Sequence, residues 1–360
     1  MSIDQNISRI RAAFPHLQTC TYLDTGATGL AAPGIGLAAA AFYDRLLSRG
    51  FDAAEEWRQL AVRVRSQLAV LLNVSPDDIS FMSTSSDAMN RLAQALPIAP
   101  GDKIVMAVDE FPTLEAVISE LTLRGAVLNR IAIDREENRT QLPCAATAGA
   151  RFVAVSHVHW STGSRVDLAQ LSRACAKSGA YLLVDGVHAV GAVPVDASLA
   201  DAYVTSFFKW TLAGFGLGAL ILRSPLKELV VPCQRGYANL APSRSLQHSH
   251  LNYPGLAALE RALDYLSGIG WNDIFGRVAR LQEDLAARLA HQGIEILTPT
   301  DAAGLTCVPV ASPEDTALRL GAMGIRVSPR GSAIRVSTHF YNLASENERF
   351  CEALASCVEH

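Results

Sequence analysis

The amino-acid sequence predicts an α/β fold, in which a mostly parallel sheet is flanked by helices and is followed by a smaller α+β domain. Two features of the sequence carry this prediction. Short apolar runs alternate with amphipathic segments over the first two thirds of the chain, and the pattern changes to long helices after Pro254. A chain of 360 residues also exceeds what one hydrophobic core usually covers, which favours two domains.

The apolar runs are typical of buried strands, because strands covered on both faces are apolar along their whole length. Six such runs lie at residues 79–82, 104–108, 152–155, 181–184, 203–205 and 218–222. Between two of them, residues 167–177 place Leu168, Leu171 and Cys175 on one helical face behind Asp167, a favourable N-cap. Strands and helices that alternate in this way indicate a mostly parallel sheet.

The C-terminal part has a different order of elements. Two helical segments precede two short strands, at residues 256–266, 271–291, 305–310 and 334–337. We therefore predict a large domain over residues 15–254 and a small α+β domain formed by residues 1–14 and 255–360.

The composition is apolar, with 49% hydrophobic and 18% charged residues, whereas soluble domains contain roughly 25% charged residues. We therefore expect part of the surface to be covered in a homodimer interface. The net charge of −4 lacks the basic footprint of a nucleic-acid-binding protein. No apolar run approaches the length of a membrane span.

The start of the chain and the cysteines indicate a cytoplasmic protein. Charged residues interrupt the first 14 residues, which lack the apolar stretch of a signal peptide. Seven cysteines without paired spacing are typical of reduced thiols, and they predict neither a disulfide framework nor a metal site.

A carboxylate follows the apolar run 181–184 directly, at Asp185, and His188 lies three residues further on. Open α/β sheets bind their ligands at the carboxyl ends of the strands. A buried carboxylate at such a position requires a cationic partner, for example a protonated pyridine nitrogen. A solvated aspartate or a helix cap is the alternative interpretation.

A lysine lies in the segment Ser-Phe-Phe-Lys-Trp, where Lys209 has three aromatic neighbours in sequence, Phe207, Phe208 and Trp210. Desolvation among aromatic rings lowers the pKa of an ammonium group and leaves a nucleophilic amine, which Schiff-base chemistry requires. A lysine that extends from a strand end into solvent is the alternative. The presence of Asp185 favours the functional interpretation.

Two further strand ends carry candidate ligand contacts. Ser85 and Ser86 follow the run 79–82 and open a helix, so that free backbone N–H groups, hydroxyls and a positive helix end suit a phosphate. Simple N-capping explains these residues equally well. Phe111 follows the run 104–108, where its ring is placed either to cover an aromatic ligand or to pack in the core.

These motifs together resemble the fold-type I pyridoxal phosphate enzymes, and within them the group of class V aminotransferases, cysteine desulfurases, kynureninases and isopenicillin N epimerases. The resemblance covers nearly the whole chain. Its most specific part runs from residue 183 to 218, where Val-Asp-Gly-Val-His precedes Ser-Phe-Phe-Lys-Trp and a glycine-rich strand. Residues 22–27 and 156–163 resemble two further segments of the family. The resemblance implies a seven-stranded, mostly parallel sheet in the large domain.

The resemblance also implies pyridoxal 5'-phosphate as the cofactor and assigns it contacts in this chain. Lys209 would bind it as a Schiff base, Asp185 would hold the pyridinium nitrogen and His188 would contact the ring hydroxyl. Phe111 would stack on the pyridine ring. The phosphate would be bound by Ser85, Ser86 and Ser206.

The sequence departs from the family pattern at two positions. The family usually has a histidine just before the lysine and a Gly-Thr pair from the neighbouring subunit, whereas this chain has Phe208 and Ser249-His250. We hypothesise that His250 replaces the lost imidazole with a charge-assisted hydrogen bond across the dimer interface. A plain surface histidine is the alternative.

The segment 330–342 resembles the family's carboxylate-binding arginine segment, and Arg335 is the candidate for that role. A guanidinium group presents a planar fork to a carboxylate, so an amino acid or a related acid fits as substrate. A surface arginine on a strand is the alternative. Arg330 is the second candidate, with a position at the site entrance.

Transamination is the reaction that we expect, with Lys209 as the base that moves the Cα proton. The cofactor also supports epimerisation and carbon–sulfur or carbon–carbon bond cleavage on the same scaffold, and a non-catalytic binding protein is a rival of another class. Desulfurases carry a mobile cysteine shortly before the arginine. Residues 320–334 contain none, and Cys307 lies in a predicted strand, which disfavours desulfuration.

Overall fold

The computed structural model describes residues 3–132, 141–299 and 302–358. The helices in these ranges are α1 (Ile3–Ala12), α2 (Ile35–Arg49), α3 (Ala54–Leu72), α4 (Ser85–Ala95), α5 (Pro112–Glu120), α6 (Gln141–Thr147), α7 (Leu168–Ser178), α8 (Leu226–Leu229), α9 (Tyr253–Ile269), α10 (Trp271–His291), α11 (Pro313–Ala322) and α12 (Ala344–Val358). The strands are β1 (Thr21–Tyr22), β2 (Ile79–Met82), β3 (Lys103–Ala107), β4 (Val127–Ile131), β5 (Phe152–Ser156), β6 (Tyr181–Asp185), β7 (Ala202–Ser206), β8 (Gly218–Leu222), β9 (Leu305–Pro309), β10 (Ile325–Arg326), β11 (Ser328–Arg330) and β12 (Ala333–Ser337).

The large sheet has seven strands in the order β2-β8-β7-β6-β5-β3-β4. The pairs from β7 to β4 are parallel, whereas β8 pairs antiparallel with both β7 and β2. The predicted α/β fold with a seven-stranded, mostly parallel sheet is therefore confirmed. The six predicted strands all form, and Asp167 caps α7 by accepting a hydrogen bond from Gln170 N.

The seventh strand, β4, has no counterpart among the apolar runs of the sequence. It lies at the edge of the sheet, and the side chains of Val127, Asn129 and Arg130 are exposed. An edge strand buries little of its surface, so it lacks the continuous apolar run that marks the central strands.

Two apolar clusters cover the two faces of this sheet. Successive strand residues point to opposite faces, so Val153 and Val155 of β5 lie in one cluster and Phe152 and Ala154 in the other. The first cluster also includes residues of α3 and α9. The strands that carry the candidate site are therefore held rigidly on both faces.

A third apolar cluster belongs to the C-terminal part, where β9, β11 and β12 form an antiparallel sheet in the order β11-β12-β9. Leu23 from the N-terminal segment joins this cluster, and β1 pairs in parallel with β10. The domain division after residue 254 stays a prediction. None of the described helices combines the length and hydropathy that crossing a bilayer requires.

Candidate active site

Strands β5, β6 and β7 end side by side at the same edge of the sheet. Asp185, the last residue of β6, pairs with Ser156 of β5 and with Val204 of β7. The parallel register therefore gathers the residues that follow these strands, which include His188 and Lys209, at one place.

The side chain of Lys209 is buried, with 7% of its surface exposed. Its Nζ lies 2.9 Å from His188 Nε2, and 5.7 and 5.5 Å from the ring centroids of Phe111 and Phe208. Burial lowers the pKa of Lys209, the positive charge of Arg335 lowers it further, and the negative charge of Asp185 opposes both. The amine is thereby held closer to its neutral, nucleophilic form.

The aromatic surroundings of Lys209 differ in part from the prediction. Phe207 and Trp210, two of its expected neighbours, lie in the apolar core. Phe208 faces the amine and stacks on Phe215 with ring centroids 4.9 Å apart.

The Asp185 side chain is buried, and its Oδ1 accepts a hydrogen bond of 2.9 Å from Val187 N. Burial raises the pKa of Asp185, while the Val187 N–H and the Lys209 ammonium lower it. Burial also holds the pKa of His188 well below its usual range, and Lys209 adds to this effect. The charges of Asp185 and Lys209 act on each other's pKa, and their pairing on opposite sides of one cofactor ring stays a prediction.

The backbone of the turn that carries Lys209 is held by Gly29, from the N-terminal part of the chain, and by His339. Gly29 N donates a hydrogen bond of 3.0 Å to Phe208 O, and a side chain at Gly29 would lie 1.9 Å from the Lys209 carbonyl oxygen. His339 Nε2 lies 3.0 Å from Trp210 O on the same turn. Only glycine permits this close approach at position 29.

The phosphate candidates converge on Gly218. Ser206 pairs with Gly218 where β7 and β8 meet, and a side chain at Gly218 would lie 3.0 Å from Ser85 N at the start of α4. Thr84 is the N-cap of α4 and accepts a hydrogen bond from the backbone, and Ser86 is half-buried in the first turn. Ser85 and Ser206 therefore adjoin at a helix N-terminus, an arrangement that suits an anion.

His250 is exposed, unlike the buried Asp185, His188 and Lys209 of the same chain. Its ring centroid lies 5.0 Å from that of Tyr237. It lines a cavity of about 150 Å³ together with Ser83 and Arg91. The hypothesis that His250 serves the site of a second subunit stays a prediction.

Phe111 is half-buried at the start of α5, and the preceding Glu110 anchors it. The carboxylate of Glu110 is buried, and it accepts hydrogen bonds from Ser156 N at 2.7 Å and from Ser156 Oγ. Burial raises the pKa of Glu110 to about 8, against the effect of the Ser156 hydrogen bonds. Glu110 thus connects the end of β3 to the end of β5.

Arg335 lies on β12 with 1% of its surface exposed. Its Nη1 donates a hydrogen bond of 2.7 Å to Trp160 O, and its Nη2 lies 4.0 Å from Asp24 Oδ1. Burial lowers the pKa of Arg335 to about 10, and the charge of Arg330 contributes. Arg330 is half-buried and donates to Pro329 O, so two cations face the same region.

Unpartnered buried atoms test whether these residues fit pyridoxal phosphate. Among the described residues, the buried atoms without a hydrogen-bond partner include His188 Nδ1, Ser206 Oγ, Arg335 Nε and Arg335 Nη2. Leaving such groups unbonded is costly, so each requires a ligand or water. A phenolic and phosphorylated pyridine with a carboxylate substrate supplies an acceptor for each, and Asp185 supplies the counter-charge for a pyridinium. The residues fit the cofactor.

Sequence reasoning missed Glu110, Asp24 and Trp160 as parts of this site. Glu110 carries a signal similar to that of Asp185, since it comes two residues after the apolar run 104–108, and was therefore within reach of prediction. Ser328 Oγ lies 2.8 and 2.7 Å from the two carboxylate oxygens of Asp24, which share its single O–H donor. The contacts of Asp24 and Trp160 join segments more than 150 residues apart, and no local pattern in the sequence marks them.

Comparisons with known proteins identify the family that the chain resembles. The family model for aminotransferase class-V matches residues 21–350. The uncharacterized aminotransferase YcbU of Bacillus subtilis is 25% identical and covers 97% of this chain and 98% of its own length. Isopenicillin N epimerase of Amycolatopsis lactamdurans is 26% identical, over 96% of this chain and 98% of the relative.

Solved structures share the fold. The cysteine desulfurase CsdA of Escherichia coli superposes with a TM-score of 0.87 at 23% identity, and the match covers 98% of each chain. A structure of a C-DES mutant, with glycine covalently linked to its PLP cofactor, superposes with a TM-score of 0.88 at 22% identity. The match covers 96% of this chain and 98% of that chain.

Proposed function

Because the chain belongs to the aminotransferase class-V family, we propose that it is an aminotransferase that acts on an amino acid or a related amino compound. Its cofactor is pyridoxal 5'-phosphate. The observation that carries the proposal is the buried amine of Lys209, held 2.9 Å from His188 Nε2 and within the field of Asp185. When bound, the cofactor supplies an aldehyde that joins an amino group and a ring that withdraws electrons from the bond to be broken.

Each residue of the cluster has a defined task in this proposal. Lys209 Nζ would hold the cofactor, and its amine would also serve as the base that carries the Cα proton. The Asp185 carboxylate would keep the pyridine nitrogen protonated, and His188 would contact the ring oxygen. Ser85, Ser86 and Ser206 would bind the phosphate.

The substrate carboxylate binds to Arg335, whose Nε and Nη2 are buried without a hydrogen-bond partner among the described residues. Guanidinium and carboxylate groups form paired hydrogen bonds that fix orientation as well as affinity. Arg330 adds positive charge at the entrance. The proposed substrate is therefore an α-amino acid or a related amino compound that carries a carboxylate.

Epimerisation is the second candidate, and the 26% identity with isopenicillin N epimerase favours it. An epimerase that uses two bases requires a proton donor on each face of the substrate. The half-reaction described below separates the two candidates, because only an epimerase returns its substrate with an inverted centre.

Desulfuration through a surface persulfide has less support. The cysteines in the described segment 302–358 are Cys307, Cys351 and Cys357, and all three are buried. Burial raises the pKa of Cys307 and of Cys351, the latter to about 11, so these thiols are poor nucleophiles.

A half-reaction with single amino acids tests the proposal. The purified holoenzyme is mixed with each candidate amino acid and its absorbance is followed. A transaminase loses the visible band of the lysine-bound cofactor and gains a near-ultraviolet band of the amine form, in proportion to the oxo acid released. A persistent visible band with inverted substrate would reject transamination in favour of epimerisation, and a band that no amino acid changes would indicate a binding protein.

We also propose that the chain is a homodimer with its site at the subunit interface. Apolar side chains on α2, on α3 and in the turn between them are exposed, which supports a covered surface there; they are Leu37, Tyr43, Leu47, Phe51 and Val70. Light scattering measures the state of assembly. Mixing Lys209→Ala with His250→Ala chains should restore activity if His250 completes the partner's site, and a mixture as inactive as its parents would refute that role.

A cytoplasmic location belongs to the same proposal. All seven cysteines are free, as is typical of proteins in a reducing compartment. Cell fractionation with an epitope-tagged chain checks it, and recovery of the chain outside the cytoplasmic fraction would contradict it.

A further inference from the structure

Trp160 touches both ends of the candidate site. Its carbonyl oxygen accepts a hydrogen bond of 2.7 Å from Arg335 Nη1, and its ring lies against Phe111 with centroids 5.9 Å apart and planes at 81°. An edge-to-face pair of this kind is a favourable aromatic contact. One residue therefore contacts the guanidinium group at the substrate end and the aromatic ring at the cofactor end.

The indole N–H fixes the backbone that leads into Phe111. Trp160 Nε1 donates a hydrogen bond of 2.8 Å to Asp109 O, and His159 Nε2 lies 2.7 Å from the same oxygen. Asp109 has φ of 54°, in the left-handed region. A non-glycine residue adopts this conformation only where its surroundings hold it, so these two ring nitrogens hold Asp109, two residues before Phe111.

The segment that carries Trp160 is itself rigid. His159 N donates to Ser164 O at 2.8 Å and Gly163 N donates to His159 O at 2.9 Å, so the chain folds back on itself around Trp160. A side chain at Gly163, where φ is 74°, would lie 2.7 Å from Leu305 O. The turn is thus pressed against β9, the strand that pairs with Arg335 through Cys307.

We propose that Trp160 is a positioning residue that connects Arg335 to Phe111. Its backbone carbonyl orients the guanidinium group that binds the substrate carboxylate, and its ring orients the phenyl ring that covers the cofactor. The proposal rests on the proposed function, in which Arg335 binds the carboxylate and Phe111 covers the ring. Trp160 is half-exposed, and its role lies in these three contacts and not in filling the core.

Two small carbonyl reagents measure the carboxylate contribution without knowledge of the natural substrate. Aminooxyacetate carries a carboxylate and methoxyamine does not, and both discharge the visible band of a lysine-bound cofactor. The ratio of their rate constants with holoenzyme is the carboxylate preference. A second readout uses cofactor-free protein, whose affinity for pyridoxal phosphate is measured by titration calorimetry.

Two variants, each with a substitution at only one end of the site, show how each readout responds. Arg335→Gln should abolish the carboxylate preference and leave the cofactor affinity within about twofold. Phe111→Leu should weaken cofactor affinity and leave the preference intact. Trp271→Phe is the matched control, because Trp271 Nε1 bonds to Ser267 Oγ where α9 and α10 meet and, within the described residues, contacts no residue of the candidate site by hydrogen bond. It should change neither readout.

Trp160→Ala keeps the carbonyl oxygen that Arg335 contacts, but it loses the indole hydrogen bond to Asp109 O and the ring contact with Phe111. Because these contacts hold the backbone on both sides, the preference and the cofactor affinity should each fall by about threefold to tenfold. Trp160→Phe keeps a ring against Phe111 but lacks the N–H, so it should recover part of both. If the alanine variant fails to fold, the phenylalanine variant decides the question alone.

The outcomes separate this inference from the proposed function. A wild type without carboxylate preference, or an unaltered preference in Arg335→Gln, would overturn the role of Arg335 and the inference with it. A normal response of Arg335→Gln and Phe111→Leu, together with Trp160 variants that change one readout or neither, would overturn the inference and leave the proposed function standing.

Discussion

The cofactor end and the substrate end of the candidate site are built in different ways. Asp185, His188 and Lys209 follow adjacent strands of one sheet, and their positions result from its parallel register. Arg335 lies on a separate sheet, where its Nη1 bonds to a residue 175 positions away in sequence. The cofactor end is therefore specified locally, by strand ends, whereas the substrate end depends on contacts between distant segments.

This difference indicates which residues can change between members of the family. Strand ends are fixed by a core that packs on both faces of the sheet, so the groups that hold the cofactor tolerate little movement. The contacts of Trp160 and Asp24 with Arg335 lie outside the strand pairs of the large sheet, so a different residue at these positions need not alter that sheet. Members of one family can in this way keep one cofactor and differ in substrate and reaction.

The largest effect is expected at Lys209, the only buried lysine of the four in the chain. Lys209→Ala removes both the covalent attachment and the proton carrier, so we expect the visible band to vanish and turnover to fall by at least about 10²–10⁴-fold. Absorbance and steady-state rates check it. Lys177→Ala, an exposed lysine, is the matched control. A Lys209→Ala enzyme with the band intact would break the assignment.

Asp185→Asn tests the other half of the cofactor end. The amide keeps the shape but loses the negative charge that faces Lys209. Loss of one preorganised electrostatic contact in an active site typically lowers kcat by about 10²–10³-fold, and we expect a fall of this size at unchanged KM. Steady-state kinetics measure both constants. A kcat within about threefold of wild type would show that this carboxylate does not hold the ring proton.

Arg335→Gln sharpens the comparison, because it should affect the substrate end alone. Hydrogen bonds to a charged group contribute about 1.5–3 kcal/mol, so KM for an α-amino acid should rise roughly tenfold to a hundredfold. An amine substrate without the carboxylate should show no change. The reverse result, equal losses for both substrates with a weakened cofactor, would mean that the two ends are not separable.

The smallest effect on turnover is expected at Glu110, whose pKa burial raises to about 8; the change there is in stability. At a pH between about 4.5 and 8 the folded chain keeps this group protonated while the unfolded chain releases the proton, so stability falls as pH rises through that window. Glu110→Gln mimics the neutral form and should remove up to about 1.4 kcal/mol per pH unit from that slope. Urea unfolding of cofactor-free protein from pH 5 to 8 measures it. Parallel profiles for variant and wild type would contradict the proposed protonation.

The sequence allowed the fold and the cofactor end to be predicted, because both depend on local patterns. Apolar runs marked the central strands, and Asp185 and Lys209 could be identified as a carboxylate and an amine at strand ends. The exposed edge strand β4 escaped prediction, since it carries no apolar run. Phe207 and Trp210 were wrongly expected around Lys209, because neighbours in sequence need not face the same side of a turn.

The substrate end could be predicted only in part. Arg335 was identified from its resemblance to a family segment, but its contacts with Trp160 and Asp24 were not, since they join parts of the chain far apart in sequence. Glu110 was missed although it follows a buried strand. The roles of the site residues, including that of His250, remain predictions for the experiments above.

The most direct test is a crystal structure of the chain grown with pyridoxal phosphate. We predict continuous density from Lys209 Nζ to the aldehyde carbon, with the Asp185 carboxylate at hydrogen-bond distance from the pyridine nitrogen of the same ring. A cofactor bound elsewhere, or a ring that reaches Lys209 while Asp185 faces a separate cavity, would contradict the central claim.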